Sequence, residues 1–231
     1  MLSYSWLIEN HELMKLLFTL NVAIISFIIV FKTHKMYHLS EHEGIRYFRN
    51  AFLCYGLAFL LRYLVSVQYD LTYGHIVSDS FFMGFRIAFE FFMVMASFFL
   101  FYSLLFKRFT TKNSHSSLFN ARIFIFYALA LIIGILDFIL GNYSMMFFSQ
   151  IIIFSFAGGV AFEKYGQVQK KSGFLGLYLW IILLIMITRI LNFIVSYFLV
   201  WNKYGVIGIY LLDAIIFLLF LYGIIKVTRR S

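Results

Sequence analysis

The sequence predicts an all-α, polytopic membrane protein: one domain over residues 1–231, built as a bundle of seven transmembrane helices with the N-terminus outside and the C-terminus inside. Three observations predict it. Apolar residues make up 63% of the chain and aromatic residues 22%, with a mean hydropathy of +0.90, whereas soluble domains are roughly half apolar. The apolar residues fall into seven blocks, each close to the about 20 residues with which an α-helix crosses a bilayer. Lysine and arginine then collect between alternate blocks, as cytoplasmic loops do.

The first block, 14–33, follows MLSYSWLIENHELMK, which lacks the basic leader of a cleaved signal peptide, so it is predicted to stay as an anchor. The second, 44–68, is preceded by Ser40-x-x-Glu43, a capping-box pattern expected to start helix 2 at Ser40 and to end helix 1 just before it. The third, 80–106, is rich in Phe and Met and contains Arg86 and Glu90. The fourth, 120–140, and the fifth, 143–162, are separated only by GNYS, which predicts a tight antiparallel hairpin. The sixth and seventh lie at 173–200 and 205–226, and the tail after them is KVTRRS. With no proline in the chain, the usual device for kinking or breaking a span is missing.

Orientation follows from a count. Lys32, Lys35, Arg46, Arg49, Lys107, Arg108, Lys112, Arg122, Lys164, Lys170, Lys171, Lys226, Arg229 and Arg230 fall on one side, and Lys15 and Lys203 on the other. The formal charge of +9 is thus a topology signal and not a nucleic-acid surface, since the basic residues sit in short runs between apolar blocks. No nucleic-acid partner is expected; the partners implied are the lipid bilayer and a cytoplasmic protein at the basic inner loops. Trp6, Trp201 and the tyrosines near block ends read as interface anchors. The single cysteine, Cys54, excludes a disulfide framework within the chain.

Five charged residues lie inside the blocks: Arg62, Arg86, Glu90, Arg189 and Asp213. A charge near the bilayer centre costs about 2.5 to 3.5 kcal/mol on insertion scales, so such groups face the bundle interior and find partners. At 1.5 Å per residue, Arg62 and Arg86 come roughly 9 Å below the outer helix ends and the other three roughly 14 to 17 Å below. Arg86 and Glu90 are four apart and can pair on one face. Arg189, Asn192 and Ser196 form a polar stripe, for which Asp213 is the natural counter-charge. Arg62 has no acid on its own helix, so it must share Glu90 or Asp213, reach the interface, or face water or an anion. Gln150 could join at similar depth. LLRYLVS at 60–66 and ITRILNFIVS at 187–196 each carry an arginine, with an acid in the next helix, which suggests two parallel triplets around helix 4.

The five charges read either as an ion-pair lock between helices or as the wall of a polar pocket in the outer half. On the second reading Arg62, Arg86, Glu90, Arg189, Asn192 and Asp213 bind a small anionic or zwitterionic ligand. Arginine suits that role because its planar fork matches carboxylate or phosphate. The expected function is receptor-like or sensory ligand binding; a secondary transporter or proton-coupled carrier using Glu90 or Asp213, and a scaffold or assembly subunit, are the alternatives. No enzyme is expected, because Cys54 lacks a helix-embedded histidine as base and no nucleophile accompanies the acids. His34, His38 and His42 recur every four residues, but with helix 2 starting at Ser40 they would not share a face, so a solvated turn and no metal site are expected. A retinal cofactor needs a mid-membrane lysine in the last helix, and Lys226 lies at its end, so no cofactor is expected.

Overall fold

Each apolar block folds as one uninterrupted α-helix. The structure, a computed structural model, describes residues 11–40, 43–71, 79–109, 121–167, 173–197 and 203–228. The helices are α1 (His11–Ser40), α2 (Glu43–Leu71), α3 (Asp79–Phe109), α4 (Ala121–Leu140), α5 (Ser144–Gln167), α6 (Gly173–Tyr197) and α7 (Lys203–Thr228). All seven are long and apolar enough to cross a membrane, which makes this an integral membrane protein. Large apolar side chains such as Phe31, Ile139, Phe162 and Trp180 are exposed on the bundle's outer faces. Those faces suit contact with acyl chains, since lipid tails are as apolar as the side chains.

Most helices extend past their apolar blocks. α1 runs to Ser40 and α5 to Gln167, because the apolar pattern marks only the length in lipid while a proline-free chain continues its backbone ladder into polar residues. This corrects the expectation drawn from Ser40-x-x-Glu43: Ser40 is the last residue of α1, and α2 begins at Glu43. His34 and His38 therefore share one face of α1, with their rings edge to face at 4.6 Å, and His34 Nδ1 lies 2.8 Å from Arg49 Nη1 of α2. His42, Trp6 and Trp201 lie outside the described residues.

Neighbouring helices form a closed ring in the order α1, α2, α3, α5, α6, α7 and back to α1, while α4 packs outside it against α3 and α5. Because successive spans alternate in direction, ring neighbours are antiparallel except at α3/α5 and α7/α1, where they run parallel. Two parallel triplets with α4 left out produce that arrangement. α4 comes close to α3 at Gly134, where a Cβ would lie 3.3 Å from the Ile87 carbonyl oxygen and 3.7 Å from Glu90 Cβ. A larger residue there would push the helices apart at the level of the buried charges.

The α4–α5 hairpin is closed by a Schellman motif. Gly141 has φ +71°, with Gly141 N donating to Phe138 O and Asn142 N to Asp137 O, both at 3.2 Å. A left-handed residue just past a helix is where glycine costs least. This hairpin marks the end of the bundle at which α1, α3, α5 and α7 begin.

Candidate functional site

Near the hairpin end the ring encloses a cavity of about 560 Å³. Its polar wall is assembled from four helices by helical periodicity. α2 contributes Arg62 and Ser66, α3 contributes Arg86, α6 contributes Arg189 and Asn192, and α7 contributes Tyr210 and Asp213, with Lys15 of α1 at the rim. The spacings of three and four residues put each set on one helix face. Phe59, Phe85, Phe89, Met93 and Phe147 supply apolar wall between them.

The three arginines of this wall have different surroundings. Arg86 is held on several sides. Its Nε donates to Glu90 Oε1 at 3.1 Å and its Nη2 to the carbonyls of Asn142 at 2.6 Å and Asp137 at 3.3 Å, while the Tyr143 ring covers its guanidinium at 4.5 Å. It therefore caps one C-terminal carbonyl of α4 and one of the turn that follows, pinning the hairpin to α3, as cations do at helix C-termini. Arg189 is buried and donates from Nη2 to Asp213 Oδ1 at 3.3 Å, a single bond that leaves its buried Nε without a partner among the described residues. Arg62 donates from Nη2 to the Tyr210 hydroxyl at 3.0 Å, and its guanidinium lies 5.7 Å from the centres of both the Phe89 and Tyr210 rings. Among the described residues it forms no ion pair with any carboxylate.

The acids also divide. Asp213 lines the cavity beside Arg189. Glu90 is fully buried behind the wall and is not a lining residue; its Oε2 has no hydrogen-bond partner among the described residues. Gln150 likewise stands away from the cavity. It is fully buried and its Nε2 donates to the Met93 carbonyl at 3.0 Å, tying α5 to α3. Asn192 Nδ2 donates to the Thr188 carbonyl at 2.9 Å, while the Ser196 side chain lies outside the described ones. The charge partners thus do not follow the suggested repeat. Asp213 pairs across helices with Arg189 and also interacts electrostatically with Arg62, whereas Glu90 pairs within α3 with Arg86; among the described residues Arg62 has no carboxylate within ion-pair distance.

One charged residue of the neighbourhood escaped the sequence reading. Asp137, fully buried near the end of α4, accepts from Met145 N at 2.8 Å and Met146 N at 2.6 Å. Asn142 Oδ1 accepts from Ser144 N at 3.2 Å, so the first three amide groups of α5 are all satisfied from the hairpin. A carboxylate at a helix N-terminus also complements the macrodipole. The available signal was an acid four residues before a glycine turn into another helix, which is where a carboxylate can reach forward across the turn.

Away from the cavity, the ring interior is filled by aromatic side chains. Phe18 stacks on Tyr210 at 4.5 Å and meets Phe59 at 5.7 Å; Phe59 meets Phe217, and Phe217, Phe52 and Phe220 follow at 6.0 and 4.8 Å. Phe48 and Tyr178 extend this column toward the basic end, where Tyr178 and Ser103 hydroxyls lie 3.3 Å apart. No group of three or more His, Cys, Asp or Glu side chains suited to a metal occurs among the described residues. Comparison with protein-family models, with curated proteins and with solved structures finds no match for this chain.

Proposed function

We propose that this is a receptor-like or sensory membrane protein that binds a small anionic or zwitterionic ligand in the ring cavity, with the N-terminus outside so that the cavity faces the extracellular side. The observation that carries the reading is Arg62: a guanidinium on the wall of a cavity, flanked by two rings and with no carboxylate within ion-pair distance among the described residues. Leaving a partly buried charge without a counter-ion is costly, and an arriving anion would offset that cost. Aromatic packing between the cavity and the basic end supports reception over passage, since a transported solute would have to part the Phe52, Phe217 and Phe220 contacts. The role is non-catalytic, and the signal would pass to a cytoplasmic partner at the basic loops.

The test is thermal unfolding of the purified protein in a non-ionic detergent against a panel of carboxylates, phosphates and amino acids. A ligand at about a hundred times its Kd stabilises by about 2.7 kcal/mol. At least one anion or zwitterion is expected to raise the midpoint of the native protein and to leave that of Arg62→Met unchanged. A panel without effect on the native protein would favour the scaffold reading.

A further inference from the structure

We infer that the cavity takes a hydrophobic monocarboxylate: one planar anionic head on Arg62 and an aryl or short alkyl body along the apolar wall. This rests on the ligand-binding reading above and narrows it to a chemical class.

Charge sets the head. Asp213 is the one carboxylate among the described lining side chains; it bonds Arg189, and its charge also acts on Arg62, whose side-chain hydrogen-bond partner among the described residues is the Tyr210 hydroxyl. One lining carboxylate among Lys15, Arg62, Arg86 and Arg189 leaves the described wall net positive, which suits an anionic head. The second unfilled donor is Arg189 Nε, on a side chain only 5% exposed that also lines the cavity. Buried donors without acceptors are uncommon, and a carboxylate oxygen or a water bridging to it supplies what this one lacks. Phe89 and Tyr210 flank the Arg62 guanidinium. A guanidinium presents its N–H groups at its edge, in its own plane, and that edge matches the paired oxygens of a planar carboxylate.

Volume and wall chemistry set the body. A water occupies about 30 Å³ of liquid, so about 560 Å³ is far more than a bare inorganic anion fills. The remaining wall is largely apolar, with Phe59, Phe85, Met93, Phe147 and Ile209 among its members. Binding pockets for small organic ligands are built this way, from apolar walls with a few convergent polar groups.

Thermal unfolding of the full chain in a non-ionic detergent separates the cases, with 3-phenylpropanoate, decanoate, the uncharged 3-phenylpropanamide, glycine and inorganic phosphate as probes. At least one of the two carboxylates is expected to raise the midpoint, with the amide, glycine and phosphate without effect and the response absent in Arg62→Met. The stronger carboxylate identifies the source, a soluble aryl acid or an acyl chain drawn from the membrane. Phe85→Ala, which removes half-buried apolar wall and no charge, is expected to weaken the carboxylate about tenfold. Arg62-dependent stabilisation by glycine or phosphate, with neither carboxylate active, overturns the hydrophobic class and leaves ligand binding standing. Silence of all five probes overturns the class as well, and the wider panel then decides whether any ligand binds.

Discussion

Asp213→Ala is expected to destabilise the protein by about 3 to 5 kcal/mol, because it strands a buried guanidinium rather than merely deleting a contact. Arg189 is 4% exposed, its one ionic partner among the described residues is Asp213, and its Nε already lacks an acceptor. Removing the carboxylate would leave the arginine to recruit water or to turn away from α7. The double variant Arg189→Met/Asp213→Leu removes both charges, and apolar replacement of a buried pair is often neutral or stabilising. It is therefore expected to recover most of the loss. Denaturant titration in micelles, run on both single variants and the double, measures the coupling. A double variant no better than Asp213→Ala would mean that Asp213 acts through packing and not through the pair.

Asp137→Ala is expected to cost about 2 to 4 kcal/mol, from loss of an N-cap together with desolvated amide groups left without acceptors. Both carboxylate oxygens are in use, on Met145 N and Met146 N, and Met146 N lies in buried surroundings. Asp137→Asn keeps one acceptor and should lose about half as much. Amide hydrogen exchange at Met145 and Met146 localises the effect, with faster exchange expected there before the rest of α5. Unchanged exchange and a loss below about 0.5 kcal/mol would place the capping of α5 elsewhere.

These two acids show where the sequence was legible. Asp213 stood out because it interrupts an apolar run, and the polar stripe of Arg189 and Asn192 pointed to a partner on a neighbouring span. Asp137 sits only four residues before Gly141, and a charge near the end of a block reads as belonging to the interface. Its role depends on the hairpin turning tightly enough for a side chain of one helix to reach the next helix's amides. The seven spans were visible because bilayer thickness writes itself into apolar length. Their overrun, as at Ser40, was not, since beyond the apolar length only a breaker would stop the ladder. Arg86 with Glu90 could be read from i, i+4 spacing. That Arg62 meets Tyr210 and Phe89 could not, because it depends on which helices become neighbours around the ring, with α4 placed outside.

In the proposed site Arg62 serves an arriving anion, whereas Arg86 and Arg189 tie helices together through Glu90, the hairpin carbonyls and Asp213. The most direct measurement compares ligand-free unfolding midpoints of Arg62→Met, Arg86→Met and Arg189→Met with that of the native protein. Arg62→Met gives up one hydrogen bond and two ring contacts but also removes a partly buried charge that forms no ion pair among the described residues, so its stability is expected to stay within about 1 kcal/mol of native. Arg86→Met and Arg189→Met each strand a buried carboxylate and should fall by about 3 kcal/mol or more. An Arg62→Met variant as unstable as the other two would contradict the account and make Arg62 one more rivet in the bundle.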